Sequence, residues 1–202
     1  MNHRQRKKIR CSWCIGDQTY QSYHDNEWGR VLDHDFQLFE ALSLETFQSG
    51  LSWLTILKKR PEFRKAFLDF NFYKVSKFDL SRAEALLLNP RIIRHRQKIS
   101  AVISNARIAI NLVEEHGSLK SFFYPDNHKK DYIVSHALSH HQQKTAEAYS
   151  VALSEKLKTL GWSFIGSKTI FAFMQAVGII NSHSHDCYIY NDIKNQIAFQ
   201  LE

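Results

Sequence analysis

Leu157-Lys158-Thr159-Leu160-Gly161-Trp162-Ser163-Phe164-Ile165-Gly166-Ser167-Lys168-Thr169 decides how the chain folds. Residues 145–160 read as a helix that Gly161 ends, and a second helix runs from Ser167 to about Ala176 with Gly178 beyond it. The short connection between them leaves room only for a tight hairpin. A glycine directly before a helix leaves backbone N–H groups pointing outward at the positive end of the helix dipole. That predicts an anion site at Gly166, Ser167 and Lys168, with the lysine reinforcing it. Capping of the helix by the Ser167 hydroxyl is the alternative use of the same residues.

Helical spacing continues on the N-terminal side. Phe36, Phe39, Leu42, Leu44 and Phe47 recur near the helical period, and Gly50 interrupts them. Leu51 to Lys59 resumes as far as Pro61, which fits the opening of a further helix. A short helix over 79–88 stops at Asn89-Pro90. Ile99, Val102, Ile103, Ala106, Ile110 and Val113 mark one face of a long helix that Gly117 closes, and a shorter one covers 118–124. Segment 125–144 reads as a polar loop with at most one turn. Strand patterns are nearly absent, so the fold class is all-α. The hairpin itself resembles a helix-hairpin-helix element, which grips a DNA backbone without reading bases. Phe164 departs from the commonest form, where a first glycine often stands.

The 202 residues are enough for one large domain with a real core. We expect a basic flexible arm over 1–9, a single domain over 10–190 and a C-terminal tail over 191–202. No run of about 18 apolar residues predicts a membrane span. The basic start lacks the apolar stretch of a secretory signal, so a cytoplasmic protein is expected. The formal charge of +7 favours a polyanionic partner, and 13% aromatic residues suit one whose bases can be stacked upon. Three cysteines, an odd number, point to free thiols or metal ligands.

Tyr23-His24-Asp25-Asn26-Glu27-Trp28-Gly29 holds acid, amide, imidazole and aromatic groups with no aliphatic residue among them. Core packing does not explain such a run, because these polar types are rarely buried without partners. Near the chain ends lie Cys11, Cys14, His24, His183, His185 and Cys187, and two cysteines with two histidines would make a tetrahedral structural site. His183 and Cys187 are spaced for chelation. Cys11 and Cys14 form an equally good pair by spacing, and His185 competes with His183. Neither His-Glu-x-x-His nor the deaminase pairing of His-x-Glu with Cys-x-x-Cys occurs.

Several stretches in register resemble the 3-methyladenine DNA glycosylase I family, a branch of the helix-hairpin-helix glycosylases. They are Arg10 to Trp13, Tyr23 to Gly29, Leu44-Glu45, Gln48 to Trp53, Ile92 to Ile99, Asn105 to Arg107 and Phe173 to Ala176. The similarity extends from about residue 10 to 190. It implies one structural Zn2+ per chain, held by Cys11, His24, His183 and Cys187 and tying the two chain ends together. It further implies that Tyr23 and Glu45 hydrogen-bond the methylated adenine, that Trp53 stacks on it, and that Trp13 and Tyr20 border the pocket. Gly50 and Leu51 match the loop that wedges into the duplex. Ser182 stands where an acidic residue is expected beside the zinc histidine.

These residue types suit the implied chemistry. A base inside a duplex has to be flipped out, and a Gly-Leu tip offers an apolar wedge for the gap. 3-Methyladenine in DNA carries delocalised positive charge, which an aromatic face and a carboxylate both attract, the former by roughly 0.5–2 kcal/mol. Glu45 is the candidate catalytic residue, chiefly through recognition of that charge. The expected partner is alkylated double-stranded DNA, bound by a monomer without lyase activity. A non-enzymatic damaged-DNA-binding module is the second reading and a metal-dependent hydrolase the third. A pure backbone binder has no use for the set Tyr23, Glu45 and Trp53.

Overall fold

The computed structural model describes residues 8–124 and 140–200, the side chains of 140–142 and 198–200 excepted. Nearly all of the expected basic arm, and 125–139 of the expected loop, lie outside the described residues.

Several helices begin where a polar side chain takes up free backbone N–H groups. Asp17 accepts from the N–H groups of Thr19 and Tyr20, Ser52 from Thr55 and Asp79 from Arg82. The elements are α1 (Gln18–Asn26), α2 (Asp35–Gln48), α3 (Trp53–Ala66), α4 (Phe72–Val75), α5 (Leu80–Leu88), α6 (Arg96–His116), α7 (Leu119–Phe123), α8 (His140–Thr159), α9 (Ser167–Ala176) and α10 (Tyr190–Gln200). No strand occurs among the described residues, in accord with the all-α expectation.

α2 runs through the centre and packs against α3, α6, α7 and α9. Its Leu38, Phe39, Leu42 and Phe47 are fully buried, each side chain contributing roughly 1.5–3 kcal/mol by leaving water. The same helix also buries Glu40, Ser43, Glu45 and Thr46, so the middle of the core is studded with polar groups. α8 and α9 pack on each other more extensively than any other helix pair, which fixes the hairpin between them.

Three expectations need correction. Pro61 lies inside α3 and opens no new helix. Ile56 and Leu57 before it, and Phe63 and Ala66 after it, are all buried, and packing on both sides offsets the lost hydrogen bond. α8 begins at His140, where a loop was expected as far as 144. Its first turn is exposed at Gln143 and Lys144, so apolar periodicity starts only at buried Ala146. Residues 191–200, expected as a tail, belong to α10, whose Ile193 and Ile197 pack on Val31.

The first described residues meet the segment that leads into α10. The Tyr188 N–H donates to the Ile9 carbonyl at 2.9 Å, and Arg10 and Lys8 lie over the Tyr188 ring. Gly178, just past α9, sits at φ +74° with its Cα against the backbone of 29–31, where a Cβ would lie 2.7 Å from the Gly29 carbonyl oxygen. Only glycine fits there.

Candidate active site and metal centre

Cys11, His24, His183 and Cys187 come together, all buried, with their ligand atoms within 4.8 Å of one another. His24 Nε2 lies 3.2 Å from His183 Nδ1 and 3.5 Å from the Cys187 sulfur, and His183 Nδ1 lies 3.6 Å from the Cys11 sulfur. A tetrahedral ion with ordinary metal–nitrogen and metal–sulfur bonds needs edges of about 3.3 Å and 3.6 Å. The donor set therefore fits a tetrahedral metal ion. Cys14 stays out, its thiol donating to the Cys11 carbonyl, and exposed His185 turns to the Tyr190 ring.

The outer atoms of both imidazoles are engaged. His24 Nδ1 meets Asp25 Oδ1 at 2.8 Å, and His183 Nε2 meets the Trp28 carbonyl at 3.2 Å. Such partners fix the ring orientation of a metal ligand. Asp25 is itself gripped by Arg10 through Nε and Nη2 at 2.9 and 2.8 Å. Burial raises the Cys11 thiol, yet hydrogen bonds with His183 and His24 outweigh it and the pKa falls. Burial also opposes charge on His24, but its bonds to Cys11 and Asp25 raise that imidazole. A divalent ion held there would take the sulfurs as thiolates and the imidazoles as neutral rings, so its binding would release protons.

α1 carries both His24, facing this cluster, and Tyr23, facing the other way into a cleft of about 350 Å³. Trp13, Tyr23, Glu45 and Trp53 line the cleft together with Trp28, Gln48, Ala172, Gln175 and Ser182. The Tyr23 and Trp53 rings are 5.6 Å apart, inclined by 54°. Glu45 is 6% exposed, and burial alone pushes its carboxyl up to about 8. Among the described residues no cation lies close enough to pull it back. Burial, together with the Glu45 charge, raises the Tyr23 phenol well above its ordinary range.

Behind this wall is a second cavity of about 100 Å³, bounded by Tyr23, Glu45 and Trp53 on their other side and by Glu27, Glu40, Arg60 and Arg64. Arg60 pairs with Glu27 at 2.8 Å and Arg64 with Glu40 at 2.9 Å, so both guanidinium groups are committed elsewhere and leave Glu45 without a counter-charge. Tyr20 is the one expected pocket residue that does not line the cleft. Its hydroxyl accepts from the Leu54 N–H at 3.0 Å, tying α1 to the start of α3, while its ring meets Trp13 edge to face.

Gly50 and Leu51 form a tight turn between α2 and α3. The Leu51 N–H donates to the Gln48 carbonyl at 2.7 Å, the Gln48 amide donates back to the Leu51 carbonyl, and Gly50 takes φ +84°. Leu51 is exposed at the tip. Lys98, buried on α6, holds this turn from beneath by donating to the carbonyls of Phe47 and Ser49 at 3.0 and 2.7 Å. In the α8–α9 hairpin the N-cap is Gly166 and no side chain caps the helix, so the Ser167 hydroxyl does not take that role. Lys168 is exposed beside the free N–H groups.

Reading the sequence alone missed several supports. Asp25, next to His24, carried a recognisable signal, since carboxylates commonly orient metal-ligating histidines. Lys98, Gln48, Gln175 and Asn105 lie within the stretches that carry the resemblance, but local spacing assigned them no individual role, since Lys98 and Asn105 find their partners far away in the chain.

A family model described as methyladenine glycosylase matches residues 13–190. The chain belongs to the methyladenine glycosylase family. DNA-3-methyladenine glycosylase 1 of Escherichia coli (strain K12) is 38% identical over 182 residues, covering 90% of this methyladenine glycosylase and 96% of the relative. A solved 3-methyladenine DNA glycosylase I has 38% identity and a TM-score of 0.81, over 89% of this chain and 98% of that one. Another, solved as a variant in complex with 3-methyladenine, has 32% identity and a TM-score of 0.80, over 89% and 96%. This methyladenine glycosylase is accordingly an enzyme of the base-releasing hydrolase class, which acts on alkylated DNA. None of its described helices is long and apolar enough to cross a membrane.

Proposed function

We propose that the protein flips 3-methyladenine out of alkylated double-stranded DNA and hydrolyses its N-glycosidic bond, leaving an abasic site and showing no lyase activity. The observation that carries this reading is Glu45, a buried carboxyl with no counter-cation, set in an aromatic cleft with Tyr23 and Trp53. Such a group is unfavourable when ionised and alone, and a cationic base relieves it. Neutral adenine offers no such gain.

Tyr23 and Glu45 hydrogen-bond the base, Trp53 stacks on it, and Trp13 closes the outer edge with Tyr20 behind. The C1′–N bond breaks with its electron pair going to the base, which leaves neutral. Water adds to C1′ and releases a proton. Orientation and electrostatic stabilisation of the cation-like sugar supply the acceleration, and no strong general base is required. Leu51, on its Gly50 turn, fills the vacated position, while Gly166, Ser167 and Lys168 hold a backbone phosphate as a helix-hairpin-helix element does.

Cys11, His24, His183 and Cys187 would hold one Zn2+, which closes the site with four protein ligands and serves structure alone. We further assign 10–190 to a single glycosylase domain acting as a cytoplasmic monomer. Incubating methylated DNA with the protein and separating the freed bases by chromatography tests the reading. Release of 3-methyladenine is expected, and preferential release of 7-methylguanine would overturn the specificity. Borohydride trapping of a covalent enzyme–DNA adduct would overturn the monofunctional assignment.

A further inference from the structure

Phe164 is a large aromatic residue on an exposed turn, 42% accessible, at φ +59°. Side chains other than glycine seldom occupy that left-handed region, and a β-substituted aromatic there is held by its surroundings. Three helices do the holding. The Asn105 amide of α6 donates to the Ser163 carbonyl at 3.1 Å and accepts from the Ser163 N–H at 2.9 Å. Thr46 of α2 directs its hydroxyl at the Phe164 carbonyl at 3.4 Å, shared with the Leu42 carbonyl, and Ser154 of α8 donates to the Ile165 carbonyl at 2.8 Å. Asn105, Thr46 and Ser154 are all buried, so the turn is fastened by its carbonyls while the Phe164 ring is left outside.

The exposed ring has one neighbour of note. His95, the N-cap of α6, meets it edge to face with centroids 6.1 Å apart. The same first turn of α6 carries Lys98, which grips the Leu51 turn. α2 and α6 thus support both the Leu51 turn and the Phe164 turn, and Phe164 stands two residues before the N-cap of α9. Two residues reach at most about 7 Å, enough to pass from a bound phosphate to an adjoining sugar.

We propose that Phe164, with His95 beside it, is a specific apolar contact to the DNA backbone, packing on a deoxyribose next to the phosphate held at the α9 N-terminus. The hairpin sets the left-handed backbone at residue 164, which glycine would take without strain; the contact accounts for an exposed aromatic ring standing there instead. The inference rests on the DNA-binding reading above and adds to it a residue that acts without charge.

The test uses the full-length protein, a duplex carrying a tetrahydrofuran abasic-site analogue, and fluorescence anisotropy across a range of salt concentrations. Phe164→Gly is expected to melt within about 3 °C of the parent, because relief of the φ strain offsets the lost ring contacts. Its duplex affinity should fall about 10-fold with the salt slope unchanged, as removal of an uncharged contact requires. Phe164→Tyr should bind like the parent, free 3-methyladenine should bind all three proteins equally, and Lys168→Ala should lower the salt slope by about 1. Parental duplex affinity in Phe164→Gly, or failure of that variant to fold, overturns the proposal. A parent that binds neither duplex nor free base overturns the function on which it rests, an outcome the free-base arm separates.

Discussion

His24 and His183 face each other edge to face, with Nε2 of the first 3.2 Å from Nδ1 of the second. Asp25 and the Trp28 carbonyl occupy the outer nitrogens, so the inner pair has room for one shared proton or one metal ion. Chelation should lower the melting temperature by more than about 10 °C, the equivalent of several kcal/mol for a chain of this length. Differential scanning fluorimetry with and without a chelator checks this, and Cys187→Ala should melt low under both conditions. An unshifted transition in the chelated parent would show that the cluster contributes no metal-linked stability.

Glu45 gives the fold a pH dependence of unusual sign for a carboxylate. Its folded value of about 8 lies above the ordinary 4.5, so between these limits the folded chain binds more protons than the unfolded one. Stability contributed by this group is complete below 4.5 and falls by about 1.4 kcal/mol per pH unit toward 8. Glu45→Gln should be more stable than the parent at pH 8, by several kcal/mol, and the advantage should vanish near pH 4. Urea unfolding of both proteins at the two pH values decides it; a constant difference would refute the linkage.

The same carboxyl should lose its proton when it receives the cationic base of an intact lesion, and should hydrogen-bond the neutral base once it is freed. Glu45→Gln is expected to bind free 3-methyladenine at least 10-fold more weakly, a loss of about 1.4 kcal/mol or more. Equal binding by titration calorimetry would remove Glu45 from recognition, and near-parental cleavage would remove it from catalysis.

Lys98→Ala deprives the end of α2 of a buried donor to two carbonyls. We expect a loss of about 2–3 kcal/mol and faster amide exchange at Gly50 and Leu51. Unchanged exchange there would mean that the Gln48 bonds hold the turn alone.

Gly178→Ala combines a positive φ with a Cβ 2.7 Å from the Gly29 carbonyl oxygen. A loss of more than about 3 kcal/mol is expected, measured by denaturant midpoint. Because Gly29 also approaches His183, the variant should weaken metal retention as well.

Where apolar residues recur, the helices could be read directly from the chain: α2, α6 and α9 bury those faces. α1 could not, because its buried residues are Tyr23 and His24, which carry no aliphatic period. α10 escaped for want of an apolar stripe longer than Ile193 and Ile197, and Pro61 misled because tertiary packing overrode a local breaker. The site divided similarly. Spacing could not choose between Cys11 and Cys14 or between His183 and His185, a choice that the resemblance made and the geometry repeats. The commitment of Arg60 and Arg64 to Glu27 and Glu40 was invisible, since it depends on which charges α1, α2 and α3 bring face to face.

His183 follows His24 by 159 residues, and at about 5–20 residues per second a ribosome takes roughly 10–30 s to cover that distance. During that interval Cys11 and His24 exist without their counterparts, and α1, which carries Tyr23, is braced only from the α3 side. The buried four-residue cluster is therefore completed last in the life of each nascent chain, when the final segment arrives to clasp the first.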